Sequence, residues 1–216
     1  TNYILSEMED KNISFENALS QAQQMGFAEQ DPTNDIKGID ARYKLVILTY
    51  LITGQWFNPE QIKLEGIDHL ELPDFEYAER MGKRIKLIAN LRHKSNKLQV
   101  YVFPLMIEKD DILAKISGST NAITLSGKYA DDITLIGKGA GSLPTASAIV
   151  SDIKKVQNNP NPLPPPPLSK ELEIETMEEI KFRHTLRFEV RDHPGIFGHY
   201  GKIFERHSIN IYALEQ

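Results

Sequence analysis

The sequence predicts an α+β (mixed α/β) protein in which helices cover one sheet, followed by a smaller, partial β-α-β segment. Three observations support this prediction. Apolar residues recur at helical spacing near the start of the chain, and alternating or β-branched apolar segments follow between residues 84 and 136. A run with six prolines in ten residues, 158–167, then separates the last part of the chain from the rest.

The first predicted helix begins after Ser14, a good N-cap, and ends before Gly26, which suits the left-handed position that follows a helix. Its apolar residues recur at helical spacing: Phe15, Ala18, Leu19, Ala22 and Met25. The next stretch, 27–40, contains Pro32 and four acids that are spaced too irregularly for a helix, namely Glu29, Asp31, Asp35 and Asp40. We predict a loop there, of the kind that often carries a site.

A second helix is predicted from about Ile39. Because apolar residues cover all its sides between 45 and 52, we expect it to be buried on every face. Four segments are predicted as strands of one sheet: 84–91, 98–107, 122–126 and 133–136. Short helices are predicted between these segments, at 75–81 and 111–116.

The proline-rich run sets the predicted domain boundaries. Residues 1–156 form the main domain, 157–184 a proline-rich and acidic linker, and 185–216 a second, unfinished domain. In the second domain we predict a strand at 185–190, a helix at 194–207 and a strand at 208–214. Two strands and one helix make a sheet too small to be stable alone.

Composition argues against several classes of protein. A formal net charge of -5 offers no basic surface for nucleic acid, and there is no cysteine for disulfides or thiolate chemistry. The longest largely apolar run, 45–52, is far shorter than the roughly 20 residues that cross a bilayer. The histidines show no metal-ligand spacing, so we assign no metal site. We expect a soluble cytoplasmic protein and, because the chain opens on Thr1 without a Met, a portion of a longer one.

Asp40 and Lys44 are the most informative pair. They are four residues apart, so on a helix they share one face and the carboxylate can hold the ammonium group in place. One interpretation is a surface ion pair worth roughly a few tenths of a kcal/mol. The other, favoured by the apolar helix behind the pair and the acids before it, is a lysine that faces a cleft.

Several carboxylates around one lysine suit a substrate with an ammonium group and a hydroxyl, an amino alcohol. The acids bind the ammonium group and the lysine moves the hydroxyl proton. The same acids also have a structural interpretation, because Asp31 and Asp40 could each stabilise a turn or a helix start.

The pattern A-x3-G-F-A-x2-D-P-x2-D-I-x-G-x-D-x3-K, residues 22–44, resembles the motif of homoserine dehydrogenases at every fixed position. The resemblance continues through 121–123 and 137–148, and so covers essentially all of 1–156. It implies a substrate-binding and dimerisation domain of an enzyme that interconverts homoserine and aspartate semialdehyde with NAD or NADP.

By this resemblance Lys44 moves the proton of the homoserine hydroxyl, and Asp40 orients the lysine. Glu29, Asp35 and Phe27 are the implied substrate-binding residues. A free lysine, with a pKa of about 10.4, is a poor base at neutral pH, so the oxidation direction requires surroundings that favour the neutral amine. The family's second catalytic lysine and its dinucleotide-binding domain are expected upstream, because no G-x-G-x-x-G follows a strand here.

A glycine-rich turn at 137–141 precedes Pro144, at an expected first helical position. Taken alone, these glycines are explained by a tight strand-to-helix turn. With the resemblance, Gly139, Ala140 and Gly141 are the implied contacts to the nicotinamide end of the cofactor.

Residues 187–216 resemble the front half of an ACT domain, a ferredoxin-like fold that binds amino acids. The resemblance implies threonine as a feedback effector, with Asp192, Gly195 and Asn210 as the matching positions. The Asp-His-Pro-Gly turn also has a simpler interpretation, as the start of the following helix.

A different class of function competes with the enzyme. The chain could be a non-catalytic module that senses amino acids or mediates assembly. The intact acid cluster around Lys44 argues against it, because a purely structural module has no use for one. The family resemblance also implies a homodimer.

Overall fold

The structure is a computed structural model that describes residues 1–159, 172–176, 179–180, 182–191 and 193–213. It divides into two compact units, Thr1–Lys181 and Phe182–Gln216. The helices are α1 (Asn2–Lys11), α2 (Phe15–Gln24), α3 (Thr33–Ile36), α4 (Ile39–Thr53), α5 (Leu72–Arg80), α6 (Ser142–Asn158) and α7 (Ile196–Arg206). The strands are β1 (Lys63–Leu64), β2 (Lys83–Lys94), β3 (Lys97–Glu108), β4 (Thr120–Gly127), β5 (Asp131–Lys138) and β6 (Glu173–Ile174), and Pro59–Gln61 form a 3-10 turn.

The α+β class is confirmed, but the single predicted sheet is wrong. β2 and β3 form a long antiparallel hairpin, and β1 and β6 pair in parallel with β3 to complete one sheet. β4 and β5 form a separate two-stranded ribbon. Each hairpin is closed by its own short turn, and β1 and β6 occupy the second edge of β3. The ribbon therefore has no place at that edge.

The first core cluster packs α1, α2 and α5 against β2. Its buried side chains include Ile4, Leu5, Met8, Ala18, Ala22, Ile67, Phe75 and Ile85. The predicted helix after Ser14 is confirmed, and the Ser14 side chain accepts from the amide of Asn17. The sequence reading missed α1, although Ile4, Leu5 and Met8 are spaced along one helical face and are each about 1% exposed.

The second core cluster packs α4 against β3. Leu45 and Val46 are buried with Val100 and Val102, each such side chain contributing about 1.5–3 kcal/mol. The expectation that α4 is buried on every face is wrong for this chain, because Ile47 and its neighbours on the outer side are half exposed or more: Tyr43, Ile47, Leu51 and Ile52. The sheet covers one face of the helix only.

Three smaller predictions are corrected. The predicted loop 27–40 contains the single turn of α3 and the start of α4. Residues 111–116 form turns with i to i+3 hydrogen bonds, stabilised because the Asp111 carboxylate accepts from the amide of Leu113, and not a helix. Pro144 is the third residue of α6. A proline is tolerated there because the amides of the first helical turn have no partner within the helix.

In the second unit the predicted helix is confirmed as α7, but the two predicted strands are wrong for the described residues. Residues 182–191 and 209–213 contain no strand. Phe188 packs against Tyr200 at 4.8 Å between ring centroids, yet it is 50% exposed. One helix buries too little apolar surface to hold two strands in a sheet. The described residues therefore do not show the ACT-like sheet.

Residues 160–167 of the proline-rich run and Leu214 lie outside the described residues. α6 extends to Asn158, so the first residues of the predicted linker are helical. β6 lies in the acidic part of the predicted linker and belongs to the sheet of the first unit. No helix in the described ranges is long and apolar enough to cross a membrane.

Candidate functional site

The chain between α2 and α4 is fixed by local hydrogen bonds. Gly26 has a φ of 71° and ends α2, and the amide of Phe27 then donates to the carbonyl of Ala22 at 2.8 Å. The ring of Phe27 lies 5.2 Å from that of Tyr3 and packs on the first core cluster. The structure thus places Phe27 against the first core cluster.

Two close backbone contacts position the start of α4. The amide of Ile67 donates to the carbonyl of Ile36 at 2.7 Å, and a Cβ on Gly66 would lie 2.4 Å from that same oxygen. Gly38 has a φ of 75°, and a Cβ there would lie 2.9 Å from Leu64 Cδ1. Both positions therefore require glycine.

Asp31 supports α3 from the preceding turn. Its carboxylate accepts from the amide and the hydroxyl of Thr33, at 3.1 and 2.6 Å. These hydrogen bonds, the one from the hydroxyl first, lower the pKa of Asp31. The turn-forming interpretation of this acid therefore accounts for its position.

Asp40 and Lys44 form the ion pair expected from their spacing. Lys44 Nζ lies 2.6 Å from Asp40 Oδ2 on the first turns of α4. The two side chains are 58% and 48% exposed, so the described residues leave the pair open on its outer side. The residues that the structure describes therefore do not enclose the lysine in the expected cleft.

Asp35 lies close to this pair, next to Thr1. The Thr1 hydroxyl donates to the carbonyl of Asp35 at 2.8 Å, and the Thr1 amino nitrogen lies 3.7 Å from Asp35 Oδ1. α3, which carries Asp35, contacts α4, whose first turns carry Asp40 and Lys44. The structure thus places the three residues on two adjacent helices.

Glu29 lies on the turn after α2, with an exposed side chain. Its backbone carbonyl accepts from Gln23 Nε2 at 3.0 Å. It precedes α3, whereas Asp35 lies on α3 and Asp40 and Lys44 lie on α4. The structure therefore places three of the four predicted charged residues on adjacent helices and leaves Glu29 on the turn before them.

The glycine turn joins β5 to α6. A Cβ on Gly139 would lie 1.7 Å from Asn121 Nδ2, and Gly141 has a φ of 116°, so each glycine has its own steric requirement. Ala140 between them is half-buried. Gly139 also lines a shallow groove on the ribbon, formed by 121–123 and 135–139.

The predicted effector positions lie in the second unit. Gly195 has a φ of 89° and precedes α7, as expected for the simpler interpretation of the turn, and Asn210 is exposed. Asp192 lies outside the described residues. Among the residues that the structure describes, no group of three or more His, Asp or Glu is placed to hold a metal ion.

Comparison with known proteins identifies the family. The family model described as homoserine dehydrogenase matches residues 1–153. The chain belongs to the homoserine dehydrogenase family. A homoserine dehydrogenase of Synechocystis sp. is 37% identical over 100% of this chain and 53% of that protein, and one of Neisseria gonorrhoeae is 35% identical over 100% and 52%.

Solved structures of homoserine dehydrogenases have the same fold. One from Thiobacillus denitrificans superimposes with a TM-score of 0.80 at 35% identity and covers 100% of this chain and 52% of that one. A hyperthermophilic archaeal homoserine dehydrogenase in complex with NADPH gives a TM-score of 0.58 at 27% identity, covering 76% and 46%. The chain thus spans about half the length of the homoserine dehydrogenases it matches.

Sequence reasoning missed Arg42, which lies between the two residues of the pair. Its side chain is only 11% exposed and binds both oxygens of Glu60, at 3.2 and 2.6 Å. Glu60 lies in the 3-10 turn, whose start is capped by Asn58. The available signal was an arginine within a largely apolar helix, where a charge requires a partner.

Proposed function

We propose that this chain is the substrate-binding and proton-transfer portion of a cytoplasmic homoserine dehydrogenase. The enzyme interconverts L-homoserine and L-aspartate 4-semialdehyde with NAD or NADP, in the synthesis of threonine, methionine and isoleucine from aspartate. The observation that carries the proposal is the 2.6 Å ion pair of Lys44 and Asp40 beside Asp35, in a chain of this family. The absence of cysteine fits the reducing cytoplasm.

The acids suit the ammonium group of the substrate. Asp35 lies on α3 and Asp40 on the first turn of α4, beside the ammonium group of Lys44. A substrate ammonium group that approaches these two carboxylates would be bound by charge-assisted hydrogen bonds, with Glu29 at the edge of the group. Binding one end of the substrate in this way places its hydroxyl carbon for reaction.

Lys44 moves the proton. When the semialdehyde is reduced, the ammonium group donates a proton to the carbonyl oxygen, which becomes the hydroxyl of homoserine. When homoserine is oxidised, the neutral amine accepts that proton. Asp40 holds Nζ in place by the 2.6 Å ion pair, so that the lysine side chain can be directed at the reacting oxygen.

The glycine turn fits the nicotinamide end of a dinucleotide. NAD or NADP, when bound, supplies or accepts the hydride. Gly139 lines the groove with backbone alone, and no side chain of the described residues caps the first amides of α6, so these helix amides are available to a polar ligand. The archaeal relative solved with NADPH supports this cofactor class.

Turnover of homoserine with NAD(P)+ tests this proposal. The rate of cofactor reduction is compared between the 216-residue chain and a version that is extended upstream to include a dinucleotide-binding domain. We expect only the extended version to reduce the cofactor. An extended protein without homoserine-dependent activity would overturn the proposal in favour of a non-catalytic amino-acid-sensing or assembly module.

We also propose that the chain forms a homodimer through its uncovered apolar surface. One exposed set lies on the β4–β5 ribbon: Ile123, Leu125, Ile133, Leu135 and Ile136. Sedimentation of wild type and Leu135→Lys tests this, with Met81→Lys as a control at an exposed apolar residue elsewhere. A dimer lost only in Leu135→Lys supports the proposal, and a monomeric wild type overturns it.

The second unit is proposed as the regulatory portion, with threonine as effector at Asp192, Gly195 and Asn210. Support comes from the sequence resemblance and from the turn at Gly195 that begins α7. Calorimetric titration with threonine measures its affinity for the extended protein and for the Asn210→Ala variant of that protein. Absence of threonine binding to the wild type would overturn this part alone.

A further inference from the structure

Lys86 is a buried lysine that the proposed chemistry does not use. It lies in β2, and the residue is 4% exposed. Its ammonium group donates to the carbonyl of Ile116 at 2.7 Å and lies 3.4 Å from Asn2 Oδ1. A lysine is rarely buried unless its charge is used, since desolvating an ammonium group is costly.

Asn2 completes this contact from the first residue of α1. Its side-chain amide donates to three carbonyls of one turn, those of Ile116, Gly118 and Thr120, at 3.4, 3.2 and 3.0 Å. Ser6, one helical turn later, accepts from the amide of Gly118 at 3.2 Å. The 116–120 turn is therefore fixed from two sides, by β2 and by α1.

The same turn holds the glycine segment. The amide of Gly139 donates to the carbonyl of Ser119 at 3.3 Å. Lys138 Nζ lies 3.3 Å from Ser119 Oγ and 3.4 Å from Thr120 Oγ1. Two hydrogen bonds, one at Ile116 and one at Ser119, thus connect Lys86 to Gly139 through the backbone of the 116–120 turn.

The charges around Lys86 lie on α1 and β2. Burial lowers the pKa of Lys86, with Arg84 adding to the shift and Glu9 and Asp10 opposing it. Burial also raises the pKa of Glu9, against Arg84 and Lys86. In such surroundings a hydrogen bond from an ammonium group to a carbonyl is strong, and losing it is costly.

We propose that Lys86 is a positioning residue for the cofactor end of the site: its ammonium group fixes the 116–120 turn, which in turn holds Gly139 and the glycine turn where the nicotinamide end would bind. This inference rests on the proposed function for its catalytic consequence. Its structural part concerns this chain alone and is measured separately.

The structural arm measures amide hydrogen exchange in the described chain. In Lys86→Met, the amide of Gly139 is expected to exchange about tenfold faster, the equivalent of about 1.4 kcal/mol, while amides in α4 keep their rates. Lys83→Met is the matched control, because Lys83 lies on the same strand and pairs with Glu108 at the surface. Unchanged exchange at Gly139 in Lys86→Met would overturn the proposal.

The catalytic arm measures the extended protein. Lys86→Met is expected to raise KM for NAD(P) about tenfold, with KM for homoserine and kcat changed far less, because only the cofactor end is displaced. A uniform loss of kcat in proportion to stability would overturn the positioning role. If the wild-type extended protein has no activity, the proposed function fails. The hydrogen-exchange measurement alone then tests whether Lys86 holds Gly139 in place.

Asn2→Asp is the second variant, for use if Lys86→Met does not fold. It keeps the shape of the side chain but removes the amide that donates to the three carbonyls. We expect the same pattern: faster exchange at Gly139 and a raised KM for NAD(P). Wild-type values of both in Asn2→Asp would contradict the proposal.

Discussion

The guanidinium group of Arg42 binds both carboxylate oxygens of Glu60, and this pair fixes the rotation of α4 about its axis. Arg42 lies between Asp40 and Lys44 in sequence but is buried, whereas Lys44 is exposed. Residues two apart on a helix do not share a face. Burying Arg42 against Glu60 therefore directs Lys44 outward, toward Asp40 and the open side of the site.

Glu60→Gln is expected to destabilise the chain by about 1–3 kcal/mol, because a largely buried guanidinium group then loses its charged partner. Arg42 Nε has no hydrogen-bond partner among the described residues, so the guanidinium group depends on Glu60. Urea unfolding measures the change. The control is Asp152→Asn, whose ion pair with Lys155 is about three-quarters exposed on both sides, and equal effects of the two variants would refute the role of Arg42.

Gly139→Ala and Gly137→Ala make a matched pair. A Cβ at 139 would lie 1.7 Å from Asn121 Nδ2, whereas nothing lies within 4 Å of one at 137. We expect Gly139→Ala to push the exposed Asn121 side chain into another rotamer at a cost of about 1 kcal/mol, and Gly137→Ala to cost less. In an Asn121→Ala background the cost of Gly139→Ala should largely disappear, and a cost that persists there would rule out the proposed steric cause.

The stability of the chain is expected to rise with pH as Lys86 titrates. Its pKa is lowered by burial in the folded state, so between that lowered value and the ordinary 10.5 the unfolded chain binds more protons than the folded one. The free energy of unfolding then increases with pH across this window. Below the window Lys86 is protonated in both states, so it adds no pH dependence there. Urea unfolding of wild type and Lys86→Met over this range measures the difference, and parallel pH profiles would show that Lys86 does not contribute.

Local patterns in the sequence located much of the first unit. Ser14 and Gly26 bound α2 because capping depends on neighbouring residues, and alternation located the hairpin strands. The Asp40–Lys44 pair was predictable for the same reason, since its geometry follows from helical spacing alone.

Contacts between distant residues were not predictable in this way. Glu60 pairs with Arg42 across 18 residues, and Asn2 bonds to Thr120 across 118. The prediction for the outer face of α4 was wrong for a related reason. Apolar residues on all sides of a helix indicate that each side is covered, but they do not indicate whether the same chain covers it.

The role of Lys44 in proton transfer is tested by measuring kcat for homoserine oxidation and for semialdehyde reduction in the extended protein, in the variants Lys44→Ala and Lys11→Ala. Lys11 is a matched control, because it forms an i,i+4 ion pair with Glu7 and is 57% exposed, against 58% for Lys44. We expect kcat to fall about 10²–10⁴-fold in Lys44→Ala and to stay at the wild-type value in Lys11→Ala. A Lys44→Ala enzyme that keeps its rate in both directions would contradict the assignment of proton transfer to this lysine.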